Sequence, residues 1–171
     1  MLKIYLAGPF FNDKQIATIE AIENEFDKYG FDYFSPRKSG GVISDLSLED
    51  RAKESKRIYD SNVSQMIRAN VIFAIVDGRD TGTVYEMGYF RALTDNPKSW
   101  TAERRRSVTY TNENFGLNIM LKESVDAHVV GEIDLKKFCA ALEESWEESA
   151  TQPGGREKIF SQFQNFNPDV I

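Results

Sequence analysis

Cysteine and histidine are nearly absent from this chain of 171 residues, which has one of each, Cys139 and His128. A single cysteine excludes an intramolecular disulfide, and one thiol with one imidazole cannot build a cysteine or histidine zinc site. Structural metal is therefore not expected. Basic residues are in deficit as well, with 21 Lys and Arg against 27 Asp and Glu and a formal net charge of −6. That balance argues against the electrostatic footprint of a nucleic-acid or anionic-membrane binder. No stretch approaches the roughly 20 apolar residues of a membrane span, and residues 1–11 lack the basic start and long apolar run of a signal peptide. The expected setting is cytoplasmic. The expected partner is a small molecule or a second copy of the chain.

What the chain does have is an ordinary apolar share, 41%, in a length that suits one core. Residues 2–8 (LKIYLAG) are short, apolar and β-rich, and they break at Gly8-Pro9. An amphipathic helix is predicted over 13–29, with Ile16, Ile19, Ile22 and Phe26 at helical spacing and Gly30 as its stop. A short strand is predicted at 31–34, then a loop over 35–44. Ser47 to Asp50 has the form of a capping box, opening a helix to about Ala69 with Ile58, Val63, Met66 and Ile67 as its buried stripe. Residues 71–76 (VIFAIV) are continuously apolar, as a strand covered on both faces must be. Beyond the loop 77–82, helices are predicted at 83–93, 117–123 and 134–148, and strands at 107–110 and 127–130. Strands alternating with helices make the class α/β, a doubly wound parallel sheet in one domain. The expected division is a domain over 1–150 and a tail over 151–171, rich in Phe and Asn, that packs near the active site.

In such a sheet ligands bind beyond the carboxyl ends of the strands, where the strand order reverses. The loops after the first and third strands should meet there. The first, from Gly8 to Asp13, lacks the lysine of a P-loop and the glycines of a dinucleotide fingerprint. The second runs from Asp77 through Asp80 and Gly82 to a helix that carries Glu86 in its first turns. Two readings stand. Asp77 and Asp80 are turn residues, Gly82 relieves a bend and Glu86 favours the positive helix end; or Glu86 is a carboxylate nucleophile for a carbon with a good leaving group, with Asp80 in the same pocket.

Three segments taken together resemble the nucleoside 2-deoxyribosyltransferase family: residues 4–11 (IYLAGPFF), 80–89 (DTGTVYEMGY) and 117–121 (LNIML). The resemblance extends over about 2–130. It implies a flavodoxin-like (Rossmann-like) fold, no cofactor, and exchange of one nucleobase for another on 2-deoxyribose. Carried over by position, it makes Glu86 the nucleophile, Asp80 the acid beside the leaving base, and Tyr5 the tyrosine that touches the nucleophile. Gly8, Pro9, Phe10, Phe11 and Asp13 fall in the base-side loop, where an aromatic wall can stack on a flat heterocycle. Asn118 and Met120 match a segment that reaches into a neighbouring subunit's pocket to hold the sugar hydroxyl, which implies a homo-oligomer. Asp77 and Gly82 complete the candidate substrate-binding set, with Asn62 standing where members often carry a second base-side aspartate and Asp60 two residues before it. Asparagine can bind a base edge but cannot deliver a proton as a carboxylic acid does.

The expected substrates are thus a deoxynucleoside and a free nucleobase. Rival readings are a hydrolase of 2′-deoxynucleoside 5′-monophosphates and a non-catalytic nucleoside-binding module. The run Arg104-Arg105-Arg106 reads as a solvated face, or alternatively as a phosphate contact. Ile171 is a candidate for placing the terminal carboxylate at the pocket.

Overall fold

The sheet has five strands: β1 (Lys3–Ala7), β2 (Asp32–Phe34), β3 (Val71–Ile75), β4 (Arg106–Thr111) and β5 (Ala127–Val130). Every pairing is parallel and the order is β2-β1-β3-β4-β5. The helices are α1 (Asp13–Lys28), α2 (Pro36–Ser39), α3 (Leu48–Arg68), α4 (Thr81–Thr94), α5 (Ile119–Ser124), α6 (Gly131–Ser145) and α7 (Gly155–Ser161). The computed structural model describes residues 1–40, 47–95, 105–113, 116–146 and 155–164. This is the predicted class, α/β with a flavodoxin-like strand order. Among the described residues no helix is long and apolar enough to cross a membrane.

Side chains alternate across a strand with period two, so each strand feeds two cores. Ile4, Leu6, Val71, Phe73, Ile75, Val108 and Tyr110 pack under α1 and α6, against Ile19, Ile22, Phe26, Phe138 and Leu142. Tyr5, Ala7, Ile72 and Ala74 face the other way, onto Met66 of α3 and Met87 and Phe90 of α4. All five residues of β3 are buried. The order reverses between β1 and β3, and Pro9 and Asn12 share a cleft with Asp77 and Gly78 at that point.

Local chemistry sets the element ends. Asn12 caps α1 by accepting from the Gln15 N–H at 3.0 Å, and Ser47 caps α3 by accepting from the Asp50 N–H at 3.1 Å. Gly30, at φ +64, ends α1 in a conformation that costs glycine little.

Four expectations change. The loop predicted over 35–44 begins with a helical turn, α2, where Pro36 presets the backbone. Arg37 also reaches back to the buried carboxylate of Glu23 on α1, and the Ser35 hydroxyl donates to the same carboxylate at 2.6 Å. Residues 41–44 of that loop lie outside the described residues. Ile67, assigned to the buried stripe of α3, is 46% exposed, while Met66 is buried and Ile58 and Val63 are half-buried. The last long helix starts at Gly131 rather than 134, because Gly131 at φ +71 turns the chain directly out of β5. Arg105 is not on a solvated face: it is buried and donates to the carbonyls of Ile67 at 2.6 Å and Leu93 at 3.1 Å. A guanidinium with several donors suits those helix ends, whose last carbonyls lack intrahelical partners. Arg106 donates to Glu157 at 3.4 Å, and Arg104 lies outside the described residues.

Candidate active site

Tyr5 and Glu86 are 81 residues apart in sequence and in direct contact in space. Strand parity puts Tyr5 on the α3/α4 face of β1, and helical spacing puts Glu86 on the face of α4 shared with the buried Thr83, Met87 and Phe90. The Tyr5 hydroxyl donates to Oε1 of Glu86 at 2.5 Å. Phe34 stacks on the Tyr5 ring at 5.7 Å and holds it from the β2 side.

Burial pushes the Glu86 carboxyl up to about 7, with the Tyr5 hydrogen bond opposing that rise and the charge of Asp80 adding to it. The Tyr5 phenol is held well above its ordinary range, first by its own burial and then by the Glu86 carboxylate beside it. Tyr5 therefore remains a hydrogen-bond donor throughout the range in which Glu86 titrates. A carboxyl poised near neutrality, with one oxygen held by a fixed donor, has the attributes of a nucleophile.

Asp80 is the N-cap of α4, and its Oδ2 accepts from the Thr83 N–H at 2.7 Å and the Thr83 hydroxyl at 2.9 Å. Just before it, Gly78 and Arg79 are both left-handed, at φ 81 and 53, which turns the chain sharply from β3 into α4. Asp80, Arg79 and Thr83 line a cavity of about 380 Å³ together with Leu117, Asn118 and Met120. Asn118 caps α5 through its Oδ1, which accepts from the Met120 N–H at 2.9 Å, and the Met120 side chain projects outward.

The other candidates are placed as follows. Gly8 passes so close to β3 that a Cβ there would sit 2.8 Å from Cδ1 of Ile75. Pro9 is buried, Phe10 packs against the α1 side, and Phe11 stacks on Phe10 at 5.5 Å while remaining 74% exposed. Asp13, in the first turn of α1, is exposed. Asp77 accepts from the Asn112 backbone at 2.9 Å and side chain at 2.8 Å, in the cleft on the α1 side rather than in the cavity beside Asp80. Asn62 borders a small cleft between α2 and α3 with Pro36 and Gly40, and Asp60 is paired with Lys56 on the surface. Gly82 lies against Asp80 and leaves room for its carboxylate. The described part of the tail, with Ile159, Phe160 and Phe163, packs into the core under α1 and α6, the sheet face opposite Tyr5. Ile171 lies outside the described residues.

Three residues of the site region were missed by sequence reasoning. Thr83 was legible as the third residue after a capping aspartate. Phe34 and Arg79 carried no local signal, since the first depends on strand pairing and the second on a turn conformation.

A sequence model of the nucleoside 2-deoxyribosyltransferases matches residues 4–121. The chain belongs to that family. The match runs from β1 into α5 and takes in every candidate site residue from Tyr5 to Met120. Among curated proteins, an uncharacterized protein of Ureaplasma parvum serovar 3, UU063, is 32% identical over 105 residues, 57% of this chain. The aligned part spans 64% of that protein's length, just under two thirds. Among solved structures, a 2-deoxyribosyltransferase from the psychrotolerant bacterium Bacillus psychrosaccharolyticus superposes with a TM-score of 0.64 at 24% identity. That superposition covers 78% of this chain and 90% of the other, and it shows a shared fold.

Proposed function

We propose that this protein transfers 2-deoxyribose between nucleobases, cleaving the N-glycosidic bond of a 2′-deoxyribonucleoside through a covalent deoxyribosyl-Glu86 intermediate. The observation that carries this reading is the Tyr5–Glu86 contact: a carboxyl raised to about 7 by burial, with one oxygen held by a buried phenol. Membership of the nucleoside 2-deoxyribosyltransferase family supports it.

In the first half-reaction an oxygen of ionised Glu86 bonds to C1′ as the C1′–N bond breaks, and the bonding pair leaves with the base. Asp80 lies beside the departing base and assists its protonation. In the second half-reaction a ring nitrogen of another base attacks C1′ and gives up its proton to Asp80, the ester bond breaks with its bonding pair returning to the carboxylate, and Glu86 and Asp80 are both restored. Two displacements retain the configuration at C1′. The missing 2′-hydroxyl eases formation of the oxocarbenium-like transition state. Phe10 and Phe11 supply an aromatic wall for a flat base.

The working unit is a homo-oligomer in which Asn118 and Met120 of one copy complete the site of another. Met120 is 76% exposed and Ile119 57%, and Val84 and Tyr85 on α4 are exposed as well. Exposed apolar groups on adjoining elements suit an interface between copies.

Deoxyinosine incubated with cytosine should yield deoxycytidine and hypoxanthine. Replacing Glu86→Ala should slow this by at least 100-fold, roughly the contribution of a nucleophile or proton donor. A fast Glu86→Ala enzyme would overturn the mechanism. Release of hypoxanthine without exchange would point to the hydrolase, and binding without turnover to a non-catalytic module.

A further inference from the structure

The geometry points to Thr83 as the positioning residue that selects which oxygen of Asp80 faces the reacting base. It rests on the proposed role of Asp80 beside the leaving base.

An aspartate at an N-cap needs only one acceptor contact, from the backbone N–H of the third helical residue, and either carboxylate oxygen can make it. Here the contact is doubled. The N–H and the hydroxyl of Thr83 both end on Oδ2, at 2.7 and 2.9 Å. Among the described residues Oδ1 receives no hydrogen bond. A second donor on one oxygen makes a flip of the carboxylate cost a hydrogen bond to a charged group, so Oδ1 is kept as the free oxygen.

Two further observations make Thr83 part of the site rather than an ordinary helix start. Thr83 is 2% exposed, so its hydroxyl has little water to turn to if Asp80 moves. Both residues line one cavity of about 380 Å³, so the carboxylate is fixed at a cavity wall. Gly82 makes room for the arrangement, because a Cβ there would stand 3.0 Å from the same Oδ2. Oδ2 is thus taken up by the two Thr83 donors. The oxygen left to handle a proton of the base is Oδ1.

The test uses four full-length enzymes beside the parent: Thr83→Val, Thr83→Ser, Asp80→Ala and the double variant Thr83→Val/Asp80→Ala. Each is assayed for base exchange with deoxyinosine and cytosine, and its melting temperature is recorded. Valine keeps the shape and the backbone N–H and removes the hydroxyl alone. Thr83→Val should lower kcat roughly 10- to 100-fold, the range set by one hydrogen bond to a charged group, with a smaller change in KM. Thr83→Ser should recover most of the loss. In the Asp80→Ala background, where there is no carboxylate left to hold, the valine substitution should change kcat little.

Three results overturn the assignment: Thr83→Val keeps the parent kcat and only melts lower, Thr83→Ser is as slow as Thr83→Val, or the two losses add in the double variant. A parent enzyme that exchanges no base also overturns it, but through failure of the proposed function, which the parent assay shows separately.

Discussion

The phenolic oxygen of Tyr5 lies 2.5 Å from Oε1 of Glu86, and the two residues reach that contact from different layers, the strand floor and the helix above it. The hydrogen bond opposes the burial that raises the carboxyl. Tyr5→Phe removes that opposition and leaves the burial. If ionised Glu86 is the nucleophile, exchange rises with pH through about 7 in the parent. In Tyr5→Phe the same limb should move to higher pH by about one unit or more, since a hydrogen bond to a charged group contributes about 1.5–3 kcal/mol. The kcat/KM pH profile of the two enzymes checks this. An unmoved limb would mean that Tyr5 does not govern the ionisation that matters.

The same burial makes Glu86 costly to the fold. A carboxyl raised from its ordinary value to about 7 is easily protonated in the native state and ionises more readily in the unfolded chain. Between the two values the native state binds more protons, so stability falls as pH rises through that window and the full cost is present above it. Glu86→Gln removes the titration while keeping an oxygen for Tyr5. The variant should be inactive and more stable than the parent by roughly 1–3 kcal/mol at pH 8, a range already discounted for partial exposure. The gain should shrink as pH falls towards 4.5. Urea melts at the two pH values test it, and an equal difference at both would count against Glu86 as a buried charge.

Much of this was visible in the residues themselves, and the rest was not for identifiable reasons. The apolar run at 71–76 announced a strand covered on both faces, and β3 is buried along its length. The spacing of Ile19, Ile22 and Phe26 fixed the inner face of α1. Glu23 sits among those residues, yet nothing local revealed that Arg37, 14 residues on, would neutralise it and fold Pro36 to Ser39 into a helical turn. Arg105 misled for a similar reason: its partners are backbone carbonyls, to which residue types give no clue. The pairing of Tyr5 with Glu86 came from resemblance to a family, because strand parity names a face but not the helix that will cover it.

The Glu23–Arg37 pair yields a stability prediction. The Glu23 side chain is 3% exposed and Arg37 25%, so the pair is shielded from water mainly on the acidic side. Arg37→Met strands a buried carboxylate that retains Ser35 at 2.6 Å and Lys38 at 3.8 Å. The expected loss is about 2–3 kcal/mol, at the low end for breaking a buried pair because the arginine is partly solvated. Glu23→Met/Arg37→Met, which buries no lone charge, should lose less than the single change. Denaturant midpoints at unchanged m-values measure both. A double variant weaker than Arg37→Met would show that packing around α2, not charge, dominates.

Gly82 separates the needs of the helix from those of the site. It lies in the first turn of α4, where replacing glycine by alanine ordinarily stabilises a helix by up to about 1 kcal/mol. Here the added methyl would sit 3.0 Å from Oδ2 of Asp80, closer than a methyl and an oxygen normally approach. Either the carboxylate swings away from Thr83 or the turn shifts by a few tenths of an ångström, and both move Asp80 relative to the cavity. Displacements of that kind are costly to catalysis out of proportion to their effect on folding. Gly82→Ala should therefore melt at or above the parent temperature while exchanging bases roughly 10-fold or more slowly. An enzyme that gains stability and keeps its full rate would show that the position of the Asp80 carboxylate does not limit the reaction.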